Sequence, residues 1–222
     1  INTLSNDTIL QIQSLIEEAK RPLIIAGHGI RLAYAAEEFR DWVEALGIPV
    51  ISTWNALDLL PYNHPLYVGR PGVVALRGPN FAVQNCDLLI SIGCRLDNVI
   101  TAFNPRGFAR VAKKVVVDID QNEIDKLDMD IAISITSDAG EFIKSVAGIK
   151  SLTYPDWEEW LSRCNDWKNR YSINEGAPFS QTGAISHYQL VDALSEVIPE
   201  HTLISTGSSG LGVEAFYTAF RN

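Results

Sequence analysis

Positive charge is what this sequence is short of. It carries 18 Lys and Arg against 27 Asp and Glu, a formal net charge of −9 over 222 residues. That argues against nucleic acid as the main partner, because phosphate-backbone binding needs a basic patch. A small anion held by backbone amides stays open. Cysteine is scarce too: Cys86, Cys94 and Cys164 are odd in number and show no Cys-x-x-Cys spacing. Such usage suits a reducing compartment, read here as the cytoplasm, with no disulfide framework and no zinc site. Cys94 lies in a polar loop and is read as a bland small side chain rather than a reactive thiol. No apolar run approaches the roughly 18 residues of a membrane span. There is no signal-peptide pattern, no fixed-period repeat and no low-complexity tract. The chain begins at Ile1 and stops at Asn222 inside a helical pattern, so it is read as a piece of a longer protein.

What is present is an ordinary globular composition, 46% apolar and 20% charged, enough for one large domain or one plus part of another. The informative stretch runs from Asp87 to Asp120. Asp87–Gly93 and Lys113–Asp120 are short apolar runs rich in β-branched residues and without strict alternation. Strands buried on both faces of a parallel sheet look like this. One run ends in Gly93, where a backbone can approach a ligand closely. The other ends in Asp118 and Asp120. Ligands of open α/β sheets sit beyond the carboxyl ends of the strands, where an acid can accept ribose hydroxyls. The competing reading is that both acids only cap the next helix.

The same alternation extends in both directions. Ser5 can N-cap a helix carrying Ile9, Ile12, Ile16 and Ala19, which Pro22 ends. Leu23–Ala26 reads as a strand and Gly27-His28-Gly29 as the turn after it. Ala36, Phe39, Val43 and Leu46 then mark a helix stopped by Gly47, and Ile48–Thr53 a second strand. Gly27 and Gly29 suggest a dinucleotide turn, but no third glycine follows in place, so a ligand-free turn is the alternative. His28 is read as a solvated loop residue rather than a ligand contact. Trp54–Gly72 is irregular and long, hence functional or surface-wrapping. Gly78-Pro79-Asn80 opens a helix over Phe81–Cys86, with Arg77 before it as an anion contact or a solvated arginine. After a helical turn at Gln121–Lys126, Ile131–Ile135 is a last strand. Asp138 caps a helix that Gly148 stops. About five strands thus alternate with helices up to residue 150, an α/β doubly wound, Rossmann-like domain.

Beyond residue 150 the texture changes. Trp157, Trp160, Leu161, Cys164 and Trp167 recur at helical spacing, a stripe expected to pack against a neighbouring domain. Residues 172–186 read as a linker. Ser186 caps a helix carrying Leu190, Val191, Leu194 and Val197. His201–Thr206 reads as a strand, Gly207–Gly210 as a turn, and Val213–Phe220 as the start of a helix. Expected segments are therefore 1–150, 151–185 and 186–222.

This order of motifs resembles the thiamine diphosphate-dependent enzymes of the acetolactate synthase group. The resemblance rests on Arg21–Gly29, Gly47–Val50, Asn63–Leu66 with Gly69, Asn80–Asp87, Ile92–Asp97, and Val117–Asp120 with Glu123. It implies a complete central domain followed by the start of a diphosphate-binding domain. The sheet would have six parallel strands in the order three-two-one-four-five-six. It further implies a parent enzyme that decarboxylates or condenses 2-oxo acids with thiamine diphosphate and magnesium, as a homodimer or homotetramer. In members that hold FAD or another adenine nucleotide in this domain, the matching positions are Gly27, Gly29, Arg77, Gly78, Arg95, Asp118 and Asp120. The synthase pattern has an arginine where this chain has Val99, so an empty pocket is the alternative. The diphosphate contact falls on Gly207, Ser208 and Ser209. The catalytic glutamate and the Gly-Asp-Gly metal motif have no match, so the chain alone is expected to be inert. An NAD-binding enzyme and a non-catalytic nucleotide-binding or oligomer-forming module are the rival readings.

Overall fold

The computed structural model describes residues 4–148 and 154–222. The boundary expected at 150 falls outside them. At the centre is a six-stranded, all-parallel sheet. Its strands are β1 (Pro22–Ala26), β2 (Val50–Ser52), β3 (Tyr67–Gly69), β4 (Leu88–Ile92), β5 (Lys113–Asp118) and β6 (Ile133–Thr136), in the spatial order β3-β2-β1-β4-β5-β6. The order reverses between β1 and β4, which gives a doubly wound sheet with its switch point there. Leu23, Ile24, Ile25, Leu89, Ile90 and Val115 have no measurable exposure. Helices cover both faces, so each of these strands needs apolar residues at every position.

The flanking helices are α1 (Asn6–Glu18), α2 (Gly29–Leu32), α3 (Ala36–Leu46), α4 (Arg77–Asn85), α5 (Gln121–Asp125) and α6 (Ala139–Ala147). Their ends follow local chemistry. Ser5 Oγ accepts the Thr8 amide at 3.1 Å to start α1, and Asp138 Oδ1 accepts the Gly140 amide at 2.9 Å to start α6. Gly47 closes α3 in the left-handed region, φ 74°.

Three expectations need correction. Trp54–Gly72 is not all loop: Tyr67–Gly69 pairs with β2 as the edge strand, through an irregular register between Val50 and Ile51. Residues 201–206 form no strand, because no partner strand lies alongside, and Leu203 is 96% exposed. The tryptophan stripe does not serve a neighbouring domain. It runs from Trp157, the N-cap, along α7 (Glu158–Arg170) and closes the flank of this sheet. There the Trp157 and Trp160 indoles donate to the carbonyls of Ala19 at 2.9 Å and Pro22 at 2.8 Å. Each indole thus buries a large apolar surface with its one polar atom satisfied.

A second, smaller apolar cluster gathers Val191 from α8 (His187–Val197) with Ala215, Phe216, Ala219 and Phe220. The last three lie on α9 (Phe216–Ala219) and its C-cap, after a π-helical turn at Leu211–Ala215. Phe216 and Phe220 therefore bury against α8 and each other, ring centroids 4.6 Å apart. Tyr217 stacks on Trp54 at 5.0 Å, so this segment meets the long 54–72 connection.

Candidate functional site

The carboxyl edge at the switch point is built from backbone. The N–H of Gly27 donates to Ile92 O at 2.9 Å, that of Gly29 to Gly93 O at 3.0 Å, and that of Gly93 to Val117 O at 2.9 Å. Parallel pairing thus continues past the strand ends and fixes three loops together. A β-carbon at Gly27 would lie 2.0 Å from Gly93 O, and one at Gly29 would lie 2.7 Å from Gly93 Cα. The close approach that these glycines permit is therefore loop against loop. His28 has its Nδ1 2.7 Å from the carbonyl of Asn55.

The acids beyond β5 are engaged locally. Asp118 is 8% exposed, and its Oδ1 accepts the Asp120 amide at 3.0 Å. Asp120 caps α5, accepting the Asn122 amide at 2.9 Å. The helix-capping reading thus describes Asp120. Arg95 pairs with Glu123 on α5, Nε to Oε2 at 3.0 Å. Hydrogen bonds from Lys126 and then Arg95 hold the Glu123 carboxyl below its usual range. Cys94, in the same loop, is buried, and burial pushes its thiol up to about 12, as a bland packing residue requires.

Arg77 and Gly78 open α4 but face α7. The Arg77 guanidinium pairs with Glu175 and lies 4.7 Å from the Tyr171 ring centroid. A β-carbon at Gly78 would meet the Trp167 carbonyl at 3.0 Å, so glycine here lets two helices touch. The nucleotide set is therefore not convergent. Gly27, Gly29, Arg95, Asp118 and Asp120 share one edge, while Arg77 and Gly78 belong to the α4–α7 contact. Each arginine already has a carboxylate partner, and Asp118 turns to a main-chain amide. As arranged, these residues do not fit an adenine nucleotide.

Gly207, Ser208 and Ser209 stand apart from that edge, exposed at the entrance to the last helical segment. Ser209 Oγ accepts the Gly212 amide at 3.2 Å, and its carbonyl accepts the Val213 amide at 2.8 Å. A groove beside the turn is lined by His187, Tyr188, Ser209 and Glu214. Exposed hydroxyls and amides at a helix entrance suit a diphosphate chemically, so this donor set fits. Among the described residues no group of three or more His, Cys, Asp and Glu is placed to hold a metal. Nor is any helix long and apolar enough to cross a membrane.

Sequence reasoning passed over two residues. Arg70 and Lys168 lie at one cleft between β3, α4, α7 and α9. The available signal was faint: a glycine on one side of Arg70, a proline on the other, and an aromatic beside Lys168.

Residues 9–146 match the family model described as thiamine pyrophosphate enzyme, central domain. The chain is 37% identical over 161 residues, 72% of its length, to a probable acetolactate synthase large subunit of Methanocaldococcus jannaschii. It is 36% identical over 167 residues, 73% of its length, to the acetolactate synthase large subunit of Corynebacterium glutamicum. To that of Lactococcus lactis it is 31% identical over 218 residues, 93% of its length. The matched segments span 27%, 26% and 36% of those relatives' own lengths.

Proposed function

The chain belongs to the thiamine pyrophosphate enzymes, through their central domain, and we propose that it is part of a longer 2-oxo acid decarboxylase or carboligase of the acetolactate synthase kind. The single observation that carries this reading is the central-domain match over residues 9–146. The extended likeness to the Lactococcus lactis large subunit supports it. On this reading residues 1–150 are the central domain, 151–185 a helix and linker, and 186–222 the opening of a diphosphate-binding domain. Gly207, Ser208 and Ser209 would hold the cofactor's diphosphate with hydroxyls and amides, beside a magnesium ion whose ligands come from elsewhere in the longer protein. Thiamine diphosphate supplies the ylid that carries the carbanion chemistry. The protein's part is binding and orientation.

The central sheet's role is then architectural: it presents β3, the 54–72 connection and α7 to the segment that follows. The family match leaves an NAD-dependent enzyme without support. The enzyme would act in the cytoplasm as a homodimer or homotetramer. Calorimetric titration of the full-length protein with thiamine diphosphate tests the reading. Binding should need magnesium and should weaken by about tenfold or more in Ser209→Asp, which sets a carboxylate against the diphosphate. A full-length protein that takes up no thiamine diphosphate overturns it.

A further inference from the structure

Two cations sit side by side without an anion. Arg70, in the turn after β3, is 6% exposed. Its Nε donates to Tyr217 O at 2.6 Å and its Nη2 to Phe220 O at 2.7 Å. The remaining nitrogen, Nη1, is buried with no hydrogen-bond partner. Lys168, on α7, donates from Nζ to Tyr62 O at 2.5 Å and Tyr67 O at 2.7 Å. The Nζ lies 4.5 Å from the Tyr62 ring centroid. Both side chains line one narrow, partly open cleft of about 20 Å³, also bounded by Gly69, Leu76, Pro79 and Thr218. Among the described residues neither cation has a carboxylate within ion-pair distance; their donated hydrogen bonds go to main-chain carbonyls.

Two buried like charges with only neutral acceptors are costly. Desolvation of each is worth several kcal/mol, and their mutual repulsion adds to it. Lys168 registers both effects: burial first, then Arg70, press its ammonium down to about 8. A third feature points the same way. Leu76 and Pro79 bring the N-terminus of α4 to the cleft, and Leu76 provides no side-chain cap there. The N-terminal end of a helix carries partial positive charge. Positive charge converges on this space from β3, α4 and α7.

The geometry points to an anion-binding site in this cleft, in which Arg70 and Lys168 hold the oxyanion head, a carboxylate or a phosphate, of a small molecule. Arg70 Nη1 supplies a donor with no other use, Lys168 the second charge, and the Thr218 hydroxyl lies on the same wall. The guanidinium is held in place through its two bonds to carbonyls, so little side-chain entropy remains to be lost on binding. The site lies apart from the Gly207–Ser209 turn and does not depend on the reading of that turn as a cofactor contact.

The test is a titration of the full chain with sodium phosphate and, separately, sodium acetate, at ionic strength held constant with sodium chloride. Tryptophan fluorescence, from Trp54 stacked on Tyr217, and the thermal midpoint are followed together. One anion should give a saturable change in both. Saturation with phosphate alone assigns a phosphoryl ligand; saturation with acetate assigns a carboxylate. Affinity should fall about tenfold to a hundredfold in Lys168→Gln and in Arg70→Lys, which keeps a cation but loses Nη1. Should Arg70→Lys fail to fold by circular dichroism, Lys168→Gln decides alone. No saturation with either anion, or equal responses in wild type and Lys168→Gln, overturns the site and leaves water as the occupant.

Discussion

The carbonyl oxygen of Gly93 accepts the amide of Gly29 at 3.0 Å and stands 2.0 Å from where a β-carbon on Gly27 would be. Two loops at the switch point therefore close on each other through glycines, and neither can move without disturbing β1 or β4. Gly27→Ala drives a methyl into main chain that is pinned on both sides, so it should cost about 3 kcal/mol or more, the upper end for overpacking. Gly47→Ala is the control: its φ is 74° with nothing within 4 Å, so only the left-handed backbone penalises it, by about 1–2 kcal/mol. Urea unfolding midpoints at unchanged slope measure both.

The Trp160 indole ties α7 to the start of β1 through the Pro22 carbonyl, with 6% of the residue exposed. Trp160→Ala should cost about 3–5 kcal/mol, and Trp160→Phe less, since it loses the hydrogen bond but keeps most of the packing. Leu203→Ala, at a position 96% exposed, should change stability by no more than about 0.5 kcal/mol. Equal midpoints for Trp160→Ala and Leu203→Ala would refute the placement of α7 in the core.

Alkaline pH should destabilise the chain through its thiols. Burial raises Cys86 and Cys94 from 9.0 to about 12 and raises Cys164 as well. Above pH 9 the unfolded thiols release protons that the folded ones keep, so their stabilising contribution, complete below pH 9, is lost on the way to pH 12. Lys168 acts oppositely. Its folded value of about 8 lies below 10.5, so between those values the unfolded state binds more protons and stability rises with pH. Burial lowers Lys114 as well, and it raises Tyr62 and Tyr154 alongside the three thiols, so the net curve should fall above pH 9. Cys86→Ala and Cys94→Ala should each flatten the fall, and Lys168→Gln should steepen it. Urea titrations from pH 7 to 11 measure the effect.

Which parts were legible in the sequence follows from range of interaction. Leu88–Ile92 and Lys113–Asp118 could be read because burial on both faces writes itself into every position of a strand. Ser5, Asp120 and Asp138 could be read because capping is local. Tyr67–Gly69 could not: three residues near two prolines carry no period, and only the edge of β2 makes them a strand. His201–Thr206 shows the converse, a β-rich run that stays irregular because nothing pairs with it. The same limit governed the site. Gly93 reads as a place of close backbone approach, but that Gly27 is what approaches it is knowable only once β1 and β4 lie side by side. Arg70 and Lys168 are far apart in the chain and gain meaning only where α7 crosses the end of β3.

The 175–186 segment should be the first to be cut by protease. Its residues are almost all exposed, and most of its hydrogen bonds stay within a few residues. Yet the cut pieces should remain together. Arg70 holds the carbonyls of Tyr217 and Phe220, and Tyr62 N–H donates to Asn222 O at 3.0 Å. Denaturing gels should show two fragments that co-elute on sizing under native conditions. Separation on nicking would mean that these contacts are too weak to dock α9.

Pyruvate turnover by the full-length protein, set beside that of this chain alone, bears most directly on the assignment to a 2-oxo acid decarboxylase or carboligase. With thiamine diphosphate and magnesium, the full-length protein should release carbon dioxide from pyruvate or a related 2-oxo acid. The chain alone should show no turnover above buffer, since neither the catalytic glutamate nor the metal motif has a counterpart in it. Turnover by the chain alone, or none by a full-length protein shown to hold thiamine diphosphate across a panel of 2-oxo acids, would contradict the assignment.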